Sequence, residues 1–75
     1  MDASAPTVLW RLRHGEGAQA RAVLLPGTPQ HTLTVIVDEV MDRAENFDSL
    51  EVALFRAEDL RATLLAGGWR EEVPR

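Results

Sequence analysis

Along Thr7–His14 (TVLWRLRH) apolar and polar residues alternate. Val8, Trp10 and Leu12 fall on one side, Leu9, Arg11 and Arg13 on the other. A period of two predicts a strand with one buried face. Gly15-Glu16-Gly17 then suits a three-residue hairpin loop with a glycine in the left-handed conformation. Ala18–Leu25 (AQARAVLL) reads as the return strand, with Ala20, Ala22 and Leu24 on one side and Gln19, Arg21, Val23 and Leu25 on the other. If His14 pairs with Ala18, Leu12 faces Ala20, Trp10 faces Ala22 and Val8 faces Leu24. A slip of one residue would put Arg21 opposite Trp10 on the core side, so the pattern selects the first register.

Pro26–Gln30 holds two prolines and a glycine and predicts a loop. Thr32–Val37 (TLTVIV) is rich in β-branched residues and predicts a third strand, with Leu33, Val35 and Val37 inward and Thr32, Thr34 and Ile36 outward. Asp38–Asn46 (DEVMDRAEN) admits two readings. In one, Asp38-Glu39 turns the chain and Val40–Asn46 returns as a charged edge strand, its charges protecting the edge. In the other, Val40, Met41 and Ala44 sit at helical spacing. The strand is preferred, because three strands alone would leave the following helix less to pack on.

That helix spans about residues 49–66. Asp48 or Ser49 caps its start and Glu51 completes a capping-box spacing. Gly67-Gly68 stops it. At about 100° per residue Leu50, Ala53, Leu54, Ala57, Leu60 and Leu64 form one stripe, with Leu65 on its border. Val52 and Phe55 point away from it. Trp69 follows the stop and is placed to fold back over the sheet edge. The fold class is therefore α+β, an antiparallel meander of four strands, or three under the helical reading, with one C-terminal helix on one face. A single domain covers 1–75, with 1–6 and 70–75 expected as flexible tails.

The pattern Trp10-Arg11-Leu12-Arg13, Arg21–Pro26, Val37-Asp38, Phe47 and Ala57-Glu58…Arg61…Leu64-Leu65…Gly68-Trp69 resembles short uncharacterised bacterial proteins. Those have a few strands and a helix closing in "LL..GW". The resemblance covers about residues 8–69 and implies a fold without an activity. Glu39 stands where such a family would carry a turn glycine.

Composition narrows the function classes. Seventy-five residues bury a limited core, and the usual aids to so small a domain are disulfides, metals or oligomerisation. With no cysteine and two histidines, self-association is the aid that remains, and a homodimer is expected. All eight basic residues are arginine, which with the Ala, Leu and Val content suggests a high-GC, bacterial coding sequence. The net charge of −4 disfavours general binding to nucleic acid or anionic membrane. MDASAPT has neither the basic nor the apolar region of a secretory signal, so the expected compartment is the cytoplasm.

No chemistry-bearing constellation emerges. His14 ends the first strand and His31 precedes the third, roughly 20 Å apart at the rise of a strand. Ser4 lies in the expected lead-in and Ser49 serves the helix start, and no phosphate-binding or nucleophile motif is present. The carboxylates from Asp38 to Asp48 lack the ligand alternation of a calcium loop. The chain reads as non-enzymatic, with no metal, cofactor or small-molecule ligand expected. One surface stands out: the sheet side away from the helix, carrying Leu9, Arg11, Arg13, Arg21, Val23, Leu25 and Ile36. It suits an oligomer or partner interface, with Val52 and Phe55 on the helix as a second patch. The alternative is a nucleic-acid-binding accessory role through the arginines, although the aromatic residues that stack bases are missing from that side.

Overall fold

The computed structural model describes residues 5–27 and 30–72. Residues 1–4 of the expected lead-in over 1–6, residues 28–29 of the loop after Leu25 and the last three residues of the charged tail lie outside the described residues. The strands are β1 (Thr7–His14), β2 (Ala18–Leu25), β3 (His31–Val37), β4 (Val40–Phe47) and β5 (Arg70–Glu71). The helix α1 spans Leu50–Ala66 between β4 and β5. All pairings are antiparallel and the sheet order is β4-β3-β2-β1-β5. Asp38–Asn46 is therefore turn and strand, and the helical reading fails.

The inward rows are those expected. Leu12 pairs with Ala20 and Trp10 with Ala22, then Ala20 with Val37, Ala22 with Val35 and Leu24 with Leu33. Trp10, Leu12, Ala20, Ala22, Leu33 and Val35 join Ala57 of α1 in one buried cluster. Alanine on two facing elements lets the helix lie close to the sheet. The Trp10 indole N–H, 2.9 Å from the Ala57 carbonyl oxygen, donates to the helix backbone inside the core. A tryptophan buried this way keeps its one polar group satisfied.

Two expectations about facing are corrected. A bulge between Val8 and Trp10 shifts the register, so Val8 pairs with Val23 and Thr7 with Leu24. A bulge adds one residue to one strand and reverses the alternation beyond it. Val8 therefore leaves the core side and is exposed. The helix stripe also narrows. Ala53 and Ala57 are buried and Leu60, Leu64 and Leu65 are half-buried, whereas Leu50 and Leu54 are 45% and 42% exposed. Leu54 stands about a quarter turn from the Ala53–Ala57–Leu60–Leu64 seam, and the close alanine contact leaves it overhanging solvent.

Between β3 and β4, Asp38 and Glu39 both have positive φ, 52° and 66°. Two left-handed residues make the turn that matches hairpin twist, at a steric cost for a residue with a Cβ. Asp38 offsets that cost by bonding β2: its amide donates to the Gln19 carbonyl at 2.8 Å, and its Oδ1 accepts the Gln19 amide at 2.9 Å.

Ser49 is the residue that caps α1, its Oγ accepting from the Val52 amide at 3.4 Å, while Asp48 accepts from the Gln30 side chain. At the other end the Gly68 amide reaches the Leu65 carbonyl and the Trp69 amide the Leu64 carbonyl, both at 3.1 Å. This pair of bonds, with Gly68 at φ 101°, is a Schellman stop. It turns Trp69 back against the core and against His14, ring centroids 5.3 Å apart. The chain then runs along β1, where Arg70 pairs with Arg13 and Glu71 with Leu12. That short fifth strand corrects the expectation of a free tail from residue 70.

Gly68→Ala is expected to cost about 1–2 kcal/mol, the penalty of a left-handed L-residue, with the added methyl also meeting His14 Nε2 at 3.4 Å. Gly67→Ala, at φ −86°, should be close to neutral in the same urea titration.

Candidate interaction surface

Residues paired directly across antiparallel strands share a face, so the register defines what the sheet offers away from α1. One row runs Arg11, Arg21, Ile36, Met41 and a second Val8, Val23, Thr34, Ala44. Leu25, Thr32 and Asn46 form a third, with Thr32 Oγ1 and Asn46 Oδ1 2.8 Å apart. At the other end Arg70, Arg13 and Gln19 form a fourth. The structure thus gathers Arg11, Arg13, Arg21, Val23, Leu25 and Ile36 on one side, as the alternation predicts. It adds Val8, Met41, Ala44 and Arg70, which sequence reasoning missed. Met41 is 62% exposed there.

Leu9 departs from the expectation. The bulge turns it toward the helix side, where it packs against the core cluster and lines a groove with Trp10, Glu58 and Arg61. Val52 and Phe55 lie on the helix, in the other layer, with Phe55 77% exposed. They form no common surface with the sheet residues. His14 lies against Trp69 with the two rings tilted by 48°, while His31 opens β3 opposite Phe47. Among the described residues no three His, Asp or Glu side chains group as metal ligands would, and no helix is long and apolar enough to cross a membrane.

The charges divide by layer. On the helix side Arg56 Nε lies 3.3 Å from each Glu45 carboxylate oxygen, and its other arm reaches Asp59 at 3.0 Å. Arg61 holds Glu58 and Glu71, and these contacts raise its pKa, the Glu71 hydrogen bond most. Those two arginines tie α1 to both outer strands. On the open face the arrangement is reversed. Arg11 stands opposite Arg21 and Arg13 opposite Arg70, like charges across the sheet, an arrangement that costs stability unless an anion lies near. Arg21 has Glu39 at 2.9 Å. No ion pair joins Arg11, Arg13 or Arg70 to another described residue. Arg13 and Arg70 border a shallow cleft of about 570 Å³ with Gly15, Gly68 and Glu71.

Comparison with models of known protein families, with curated proteins and with solved structures finds no match. The surface is therefore read from its own chemistry: an apolar strip from Val8 at the start of β1 across β2, β3 and β4, beside a basic margin over β5, β1 and β2.

The Arg21 hydrogen bond holds the Glu39 carboxyl below the usual glutamate range. A depressed folded-state pKa means the contact contributes above the unfolded-state value and is lost as pH falls through the folded one. A carboxyl titration followed by NMR should place the Glu39 midpoint below that of free glutamate. Arg21→Gln should return it to the ordinary range.

Proposed function

We propose that this domain is a self-associating protein-interaction module that offers its open sheet face to a protein partner. The observation that carries the reading is the exposed strip of Val8, Leu25 and Met41, flanked by half-buried Val23 and Ile36, on a face that the single helix leaves bare. Contiguous apolar surface rimmed by charge is the composition of an interaction site. The small core adds support. Four of its residues are alanine (Ala20, Ala22, Ala53 and Ala57), so a second copy supplies burial that the chain alone lacks.

One further reading has an observation of its own. The cross-strand arginine pairs suit phosphates, which favours a nucleic-acid-binding accessory role. Trp10, the aromatic residue of β1, is committed to the core, so the face has no stacking platform of the usual kind. The protein-interaction reading therefore takes precedence.

Light-scattering mass across a concentration series should rise from one chain toward two. A strict monomer at the highest concentration contradicts the self-association reading. Arg11→Glu with Arg21→Glu tests the alternative, which requires salt-sensitive binding of single-stranded oligonucleotide by the wild type and its loss in the variant.

A further inference from the structure

The two edges of the sheet are finished differently. β1 is partly covered by β5, whereas β4 has β3 as its sole strand neighbour among the described residues. β4 is eight residues long and contains neither proline nor lysine, two of the usual means of blunting an edge; a bulge at Asp42, where Arg43 and Met41 pair with the adjacent Val35 and Ile36, leaves Arg43–Phe47 as its regular stretch. Charge of one sign along an edge repels a second copy, but here the signs alternate. Arg43 and Glu45 pair with Val35 and Leu33, so both face the helix side. Ala44, between them, pairs with Thr34 and faces the open side.

We propose that two copies of the chain join β4 to β4, antiparallel, about a two-fold axis through Ala44. This names the seat of the self-association proposed above and rests on that reading, the β4 edge joining the copies while the apolar strip of the open face stays free for the protein partner. The product is one continuous sheet with both helices on the same side and both open faces on the other. A two-fold axis perpendicular to the sheet keeps each face on its own side, so residues set opposite one another must share a face. That condition leaves a few centres, and charge selects among them. A centre at Arg43 sets guanidinium against guanidinium, and one at Glu45 sets carboxylate against carboxylate. A centre at Asn46 leaves both charges unmatched and runs off the strand end. The centre at Ala44 sets Arg43 against Glu45 of the second copy, and symmetry makes that pair twice.

The local geometry suits this register. Arg43 is engaged by its exposed neighbour Asp42 at 3.2 Å, a contact it can exchange. Glu45 already accepts from Arg56, and a carboxylate has lone pairs to spare for a second guanidinium. The residue on the axis carries a methyl group, which lets the two backbones approach to pairing distance.

The chain has no cysteine, so one introduced thiol reports cleanly. Pairing about Ala44 brings the two Ala44 Cα atoms to about 4.5–5.5 Å, within disulfide reach. Under mild oxidation Ala44→Cys should give a disulfide-linked dimer, while Ile36→Cys on the open face should not. Arg43→Glu, at an exposed position, should weaken the dimer roughly ten- to hundred-fold by turning two attractions into repulsions. A wild-type dimer whose Ala44→Cys variant fails to cross-link overturns the β4 seat and leaves the self-association reading standing. Cross-linking through Ile36→Cys, or an unchanged dissociation constant in Arg43→Glu, has the same consequence. A wild type that stays monomeric at every concentration overturns both.

Discussion

The hydrogen bond from the Trp10 indole to the Ala57 carbonyl fixes how the two layers meet. It requires the helix backbone to come within reach of a side chain rising from β1, beside Ala22 of β2. That approach is possible because Ala22 lies beside Trp10 on β2 and Ala53 and Ala57 line the helix seam. Larger residues there would lift the helix, and the indole would lose its acceptor while remaining buried. An unsatisfied buried donor costs about 1–3 kcal/mol, a large share of the stability of a chain this small. The same closeness explains why Leu50 and Leu54 stand clear of the core: a helix resting on its alanines presents a narrow contact stripe.

Ion pairs hold the helix at either side of that central contact. Arg56 reaches Glu45 on β4 and Arg61 reaches Glu71 on β5, so the helix spans the sheet from one outer strand to the other. Exposed pairs add little energy singly, but these place charge where it closes the sandwich. The Schellman stop then feeds Trp69 and β5 onto the end of β1. With one helix committed to one side, the other side of the sheet keeps its arginines and aliphatic residues in solvent. The open face is thus a direct consequence of a two-layer architecture with a single helix.

Much of this was legible in the chain. Large residues on β1 opposite alanines on β2 specify the register, and the alternation places Arg11, Arg13, Arg21, Val23 and Ile36 together. Leu9 and Val8 were misplaced because a bulge leaves no mark in a pattern of period two; it moves Leu9 to the helix side and Val8 to the open one. The helix seam was drawn too wide because apolar residues lie nearly all round α1, so periodicity alone does not say which leucines touch the sheet. β5 was missed for a different reason. Two charged residues carry no strand signal, and their pairing comes from the turn at Gly68 that delivers them to β1. Arg70 joined the arginine face by that route. Asp38-Glu39 forms a tight hairpin without glycine because its carboxylates bond β2, a tertiary contact that the turn residues themselves do not announce.

Hydrogen exchange of the two indole N–H groups, resolved by NMR, tests the central contact most directly. Trp10 should exchange only through global unfolding, with an opening free energy equal to that from denaturant titration, while half-buried Trp69 exchanges through local fraying. A Trp10 N–H that exchanges as fast as that of Trp69 under native conditions would contradict the account, because the indole would then not be held on the helix backbone.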